Sequence, residues 1–283
     1  VTRAAAFFDL DKTVIAKSST LAFGRPFFHG GLINRRAVLK TAYAQLVFSL
    51  AGADAQQMER LRAQLTAMVT GWDAATVHEI VRETLHEIVD PLVYAEAADL
   101  IEEHRAAGRE IVIVSSSGAD VVGPIGEMLG VDRVVATRMV TADGRYTGEI
   151  DFYAYGENKA EAMRQVAAEG GYDLADCYAY SDSITDLPML SAVGHPTAVN
   201  PDRGLRKAAL EHGWPVLQFT RPVSMRARFS APPAPVVTGA AMGVGAAVVG
   251  LAWYARHRAL RSGLLASADA PRPVTGRRRR RGA

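Results

Sequence analysis

Two acids, Asp9 and Asp11, stand directly after the apolar run Ala4-Ala5-Ala6-Phe7-Phe8, with Thr13 two residues further on. An interior strand has no packing use for two carboxylates, so they must project at its C-terminal edge, where open parallel sheets form their binding crevices. Paired carboxylates there can hold a divalent cation, attack an electrophile or shuttle a proton. Three further sets follow. Ser115 and Ser116 end the apolar run Ile111–Val114 and precede a helical pattern, whose free backbone N–H groups would bind an anion. Lys159 lies in the first turn of a helix opened by Gly156-Glu157-Asn158. Asp182 and Asp186 lie in Ser181-Asp182-Ser183-Ile184-Thr185-Asp186, again after an apolar run. Taken singly, each has a plain structural reading: a serine capping a helix, a solvated lysine, a turn. All four, in order and each at the end of a strand or the start of a helix, make coincidence improbable.

The elements that would position them alternate. Residues 3–9 read as a buried strand. For some seventy-five residues after Thr13 the pattern is helical, with Asn34, Asp54 (Gln57 three residues on) and Asp73 as N-caps. The helix after Asp73 places Val77, Ile80, Val81, Leu85 and Ile88 on one face. A block of about four helices after the first strand cannot lie in the sheet and is expected as a lid. Pro91 suits the first turn of a helix running to Gly108. Strand 110–114, a helix stopped by Gly130, strand Val134–Ala136, and a hairpin of 137–141 and 146–150 turning at Asp143-Gly144 come next. Helix 157–169 and strands 177–181, 196–199 and 216–219 complete a doubly wound α/β sheet.

Composition sets bounds. A chain of 283 residues, 49% hydrophobic, can bury an α/β core and a smaller second unit. One cysteine, Cys177 in the apolar Cys177-Tyr178-Ala179-Tyr180, excludes an intrachain disulfide and reads as buried packing. The sequence runs straight into the acidic strand with no signal peptide, so a cytoplasmic catalytic part is expected. The net charge of +2 conceals an asymmetry: positions 1–220 hold 20 basic and 29 acidic residues, whereas the rest holds 12 arginines and a single acid, Asp269. A tail of that sign suits anionic lipid or nucleic acid.

The stretches Phe7-Phe8-Asp9-Leu10-Asp11-Lys12-Thr13, Tyr180-Ser181-Asp182-Ser183 with Asp186-Leu187-Pro188-Met189-Leu190, and Val193-Gly194-His195-Pro196 through Ala198-Val199-Asn200-Pro201-Asp202 resemble the haloacid dehalogenase (HAD) superfamily. The likeness covers residues 4–219, and the helical insert resembles the type I cap of the subfamily IB hydrolases, relatives of phosphoserine phosphatase. It implies a Rossmann-like core at 1–16 and 90–220 with a helical cap at 17–89. It also implies that Asp9 is the nucleophile, forming an aspartyl-phosphate, and that Asp11 is the general acid and base. Mg²⁺ would sit on the Asp9 carboxylate, the Asp11 carbonyl and Asp182, with Asp186 orienting this shell. Thr13, Ser115, Ser116 and Lys159 would hold the phosphoryl oxygens. Two positions depart from phosphoserine phosphatases. Ser18 stands where those enzymes carry a glutamate that pairs with the substrate ammonium, and Thr185 stands where they usually carry asparagine.

The tail reads separately. A Pro/Arg linker at 221–235 contains Pro232-Pro233-Ala234-Pro235, and 236–255 gives twenty uncharged positions closing on Trp253-Tyr254. That length spans a bilayer, with the aromatic pair as interfacial anchor and Gly239-x-x-x-Gly243 as a packing motif, the alternative being a buried or oligomerising helix of a soluble protein. Residues 256–283 read as a basic disordered end. The expectation is a catalytic domain tethered at the inner membrane face, acting on a soluble phosphate or a lipid-like head group. A homodimer is compatible with the packing motif. The alternatives are a phosphotransferase and a non-catalytic module using Arg277–Arg281, nucleic acid being the weaker partner. Arg35 and Arg36 read as solvated, His195 as structural, and Trp72 and Trp214 as packing.

Overall fold

The computed structural model describes residues 3–33, 63 and 66–224. The Asn34 and Asp54 caps, Arg35 and Arg36, the stretch 236–255 and the arginine run therefore lie outside the described residues. Among the described residues no helix is long and apolar enough to cross a membrane.

Strand β1 (Ala5–Phe8) lies at the middle of a seven-stranded sheet and is buried along its whole length. Its side chains alternate between two apolar clusters, as strand geometry requires. Ala6 and Phe8 pack with Ile111, Ile113, Ala97, Ile101 and Val122 on one face. Ala5 and Phe7 pack with Val112, Val114, Met163, Val166 and Leu190 on the other. A strand covered on both faces has no polar side, which is why β1 and the start of β2 (Glu110–Gly118) read as unbroken apolar runs.

The order across the sheet is β4-β3-β2-β1-β5-β6-β7, parallel except for β4. The remaining strands are β3 (Arg133–Ala142), β4 (Arg145–Phe152), β5 (Tyr178–Ser181), β6 (His195–Val199) and β7 (Val216–Leu217). From β1 the chain first builds outward through β2 and β3, then returns to the far side of β1 with β5. The connections reverse there, and the strand ends around β1 part to leave a crevice.

Among the described residues the helices before β2 include α1 (Ser19–Ala22), α2 (Gly24–His29) and α3 (Ala74–Ile88), and then α4 (Ala95–Ala106). The later ones are α5 (Ala119–Leu129), α6 (Glu157–Gly170), α7 (Leu187–Ser191) and α8 (Arg203–His212). Asp73 caps α3 by accepting from Thr76 N at 2.9 Å, and Val77, Val81 and Leu85 form its buried stripe. That stripe belongs to the same cluster as Phe8 and Ile111, so α3 is packed onto the core. It is tied there by the Trp72 carbonyl, which accepts from Tyr146 N at 3.0 Å, and by Ala74 N donating to Gly144 O at 2.9 Å.

Three sequence expectations need correction. Pro91 opens a short 3₁₀ turn, Asp90–Leu92, and the following helix starts only at Ala95. Val93 and Tyr94 are extended because they pair with the segment after β1: Tyr94 N donates to Val14 O at 3.0 Å. The strand expected at 134–136 and the first hairpin arm are one continuous strand, β3, parallel to β2 in its first half and antiparallel to β4 in its second. The hairpin turn is as expected, with Asp143 and Gly144 both at positive φ (51° and 75°), the geometry of a two-residue turn matched to strand twist. Finally, the segment expected as linker from 221 is still tied to the core. Ala95 N donates to Arg221 O at 2.8 Å, and Ser224 Oγ donates to Asp90.

Cys177 is fully buried, its Sγ accepting from Ala5 N at 3.3 Å, which agrees with the packing role. His195 opens β6 and stacks on Tyr178 with ring centroids 4.4 Å apart. Trp72 meets Phe27 edge-on within the core cluster.

Candidate functional site

Asp9 is the first residue beyond β1, held by its own N–H donating to Tyr180 O at 2.9 Å. Phe8 stacks on Tyr180 at 4.6 Å beneath it, so the position of Asp9 is set by both backbone and packing. The chain then turns back sharply: Val14 N and Ile15 N both donate to Leu10 O, and Lys12 takes a positive φ of 62°. A left-handed lysine is uncommon and marks a turn that the surroundings enforce. The turn sends the exposed Lys12 side chain toward Asp182, 3.8 Å away.

Lys159, at the start of α6, is buried and reaches two carboxylates. Its Nζ lies 2.7 Å from Asp9 Oδ1 and 2.8 Å from Asp186 Oδ2. Asp186 is fixed further by Ser181 Oγ, which donates to the same oxygen at 2.7 Å. Asp182 begins the loop after β5; Asp202 N donates to its carbonyl at 2.8 Å, and Asp202 Oδ2 accepts from Ile184 N at 2.9 Å. Asp202 also caps α8 through Leu205 N at 2.7 Å, so one carboxylate anchors both the acidic loop and a helix.

Asp9, Asp182 and Asp186 are all at least nine-tenths buried, and among the described residues one buried ammonium, Lys159, faces them. Burial is the main cause that pushes the Asp9 carboxyl up to about 8; the Lys159 charge opposes this, and Asp186 and Asp182 reinforce it. Burial likewise lifts Asp182 to about 6, with Lys12 opposing. Burial works against the charge of Lys159, yet Asp9 and Asp186 together hold it above the ordinary lysine range. Among the described residues three buried carboxylates thus share one buried ammonium, Lys159, with the exposed Lys12 at the rim of the cluster. Such a donor set fits a hard divalent cation. Among the described residues no three acid, histidine or cysteine side chains form a complete cage, but Mg²⁺ is commonly held by one or two carboxylates plus substrate phosphate.

Ser115, Ser116 and Thr13 complete the expected set. Ser115 is buried, its Oγ accepting from Ser117 N at 3.2 Å. Ser116 has an exposed side chain, and its carbonyl accepts from Thr137 Oγ1 at 2.8 Å. Thr13 Oγ1 is fully buried without a hydrogen-bond partner, an expensive state for a hydroxyl that lies two residues from Asp11.

Three groups outside the expected set also touch the site. Ser117 Oγ donates to Asp11 Oδ2 at 2.9 Å, and Ser19 N donates to Asp11 Oδ1 at 2.8 Å. Ser19 Oγ donates in turn to Ser117 Oγ at 2.9 Å, with Thr20 Oγ1 at 3.2 Å. The serine triplet was visible in the sequence; which of its members turns inward was not. The register of β2 against β3 shifts between Ser115 and Gly118, and this bulge aims Ser117 into the crevice.

The comparisons with known proteins agree with this geometry. The family model of haloacid dehalogenase-like hydrolases matches residues 6–191. A Streptomyces azureus protein named for inhibition of morphological differentiation is 64% identical, covering 90% of this chain and 94% of its own. A probable phosphatase of Mycobacterium tuberculosis is 62% identical, covering 90% of each chain. A phosphoserine phosphatase of the same species is 34% identical, covering 87% of this chain and 80% of its own. With acids of the first and last motifs joined to the lysine of the third at the switch point of its sheet, the chain belongs to the haloacid dehalogenase-like hydrolase family.

Proposed function

We propose that the protein is a Mg²⁺-dependent phosphatase that hydrolyses a phosphomonoester through a phosphoryl group carried on Asp9. The observation that carries this reading is the buried Asp9–Lys159–Asp186 triplet, at 2.7 and 2.8 Å, with Asp182 close enough to act on Asp9 and Asp11 two residues further along the chain. A structural ion pair would not need three buried carboxylates around one ammonium, since each uncompensated charge is costly. The kinship with named phosphatases supports the same reaction.

The steps follow from the residues. Asp9 attacks phosphorus, the bond to the leaving oxygen breaks, and Asp11 supplies the proton that makes an alcohol of it. Asp11, now ionised, takes a proton from the water that hydrolyses the aspartyl-phosphate. Lys159 places positive charge beside the transferring phosphoryl group, where the transition state needs it. Thr13 and Ser115 are suited to the phosphoryl oxygens, the Thr13 hydroxyl having no partner of its own. Asp9, the Asp11 carbonyl and Asp182 would hold Mg²⁺, with Asp186 keeping both Lys159 and the loop in place. Bound there, the cation would offset repulsion between a carboxylate nucleophile and an anionic phosphate. Ser18 is neutral, so the leaving alcohol does not require an ammonium group; soluble and lipid-like phosphates both fit this chemistry.

The test is turnover of p-nitrophenyl phosphate with and without Mg²⁺, wild type beside Asp9→Asn, followed by a screen of amino, sugar and lysolipid phosphates. Metal-dependent hydrolysis lost in Asp9→Asn supports the reading. Equal activity in that variant overturns it.

A further inference from the structure

The hydroxyl of Ser117 has one proton to give, and its surroundings decide where that proton goes. Three groups lie around it: Asp11 Oδ2 at 2.9 Å, Ser19 Oγ at 2.9 Å and Thr20 Oγ1 at 3.2 Å. A serine hydroxyl carries one donor and two acceptor lone pairs. Ser19 donates into one lone pair and Thr20 has the other available, which commits the Ser117 proton to Asp11. Ser19 N occupies the second Asp11 oxygen at 2.8 Å. Both oxygens of Asp11 are therefore tied, one from α1 and one from the bulge of β2, and the plane of the carboxyl is fixed. Ser117 and Ser19 are themselves buried, so solvent does not compete for these bonds.

We infer that Ser117 is a positioning residue that aims Asp11 at the oxygen of the leaving group, with Ser19 and Thr20 setting the direction of its hydrogen bond. The inference rests on the phosphatase reading and goes beyond it. Ser117 keeps its own proton throughout: Asp11 gives one to the leaving oxygen as the phosphorus–oxygen bond breaks, and regains one from water. The role matters in proportion to how much the leaving group needs that proton. A loosened Asp11 should slow departure of a basic phenolate or alkoxide and hardly affect nitrophenolate, which leaves as an anion.

The experiment measures kcat/KM of wild type, Ser117→Ala and Ser117→Thr for p-nitrophenyl and p-methylphenyl phosphate, two substrates of closely similar shape. Ser117→Ala is expected to lose about tenfold on the methylphenyl ester, the scale of one hydrogen bond to a charged group, and under about twofold on the nitrophenyl ester. Ser117→Thr, which restores the hydroxyl, should recover to within about threefold of wild type. Equal losses on both esters, or none on the methylphenyl ester, would overturn the positioning role, because a general packing defect does not distinguish leaving groups. Where Ser117→Ala does not fold, Ser117→Cys, a weak donor of similar size, is read by the same ratio. The phosphatase reading is judged separately by Asp9→Asn on both esters. If that variant stays active, or wild type hydrolyses neither ester, the reading fails and the inference fails with it.

Discussion

Asp9→Asn should abolish turnover and at the same time make the metal-free protein more stable. The Asp9 carboxyl is buried among two other carboxylates and one ammonium and is pushed up to about 8 from an ordinary 3.8. The native state therefore retains a proton that the unfolded chain releases above 3.8, so stability falls as pH rises from 3.8 and stops falling above 8. At neutral pH this amounts to about 4 kcal/mol at 1.36 kcal/mol per pH unit, taken as an upper bound. Asparagine removes the ionisation but also weakens the bond to Lys159, which keeps Asp186 at 2.8 Å. A net gain of about 2 kcal/mol remains, or about 4–8 °C in Tm for a folded unit of this size. Thermal unfolding in chelator at pH about 4 and about 8 gives the assay. The two proteins should melt together at the lower pH and separate at the higher one, with Mg²⁺ narrowing the gap by stabilising wild type. An Asp9→Asn protein that melts below wild type at the higher pH would refute the argument that unneutralised charge is stored in this cluster.

Other outcomes follow from the same structure. Lys159→Met should lower kcat by roughly 10²–10³-fold, as expected for loss of a charge aimed at the transition state, measured with the protein shown folded by circular dichroism. His104 is buried, with Nε2 2.8 Å from the Tyr180 hydroxyl and Nδ1 3.0 Å from Arg109; burial, then the Arg109 charge, depress it to about 4. Because its folded value lies below its ordinary 6.5, stability should fall on acidification from 6.5 to about 4, by about 3 kcal/mol at most, and urea titrations of His104→Gln should lack that slope. Gly194→Ala places a Cβ 1.8 Å from the Ala175 carbonyl oxygen, a backbone atom that cannot step aside, and should cost about 1–3 kcal/mol by chemical denaturation.

The sequence carried the centre of the fold because its strands are covered on both faces and so read as apolar runs ending in acids. Asp9, Lys159 and Asp186 could be named in advance because their motifs follow one another at strand ends and helix starts in the order seen in the haloacid dehalogenase superfamily. What could not be read depended on contacts far apart in the chain. Tyr94 is extended because Val14 is beside it, a pairing that outweighs the helix-starting preference of Pro91. The continuity of β3 depends on having β2 along one edge and β4 along the other. Ser117 turns inward only because β2 bulges against β3, and nothing in the triplet Ser115-Ser116-Ser117 marks where a bulge will fall. Thus the acids of the site were legible while the hydroxyls that aim them were not.

The most direct measurement is to quench wild type during turnover in acid, digest it, and locate the phosphoryl group by mass spectrometry. The account predicts a label on the peptide containing Asp9, stable in acid, lost on treatment with hydroxylamine, and absent from Asp9→Asn. Efficient turnover with no labelled peptide at any quench time, or a label on another residue, would contradict it.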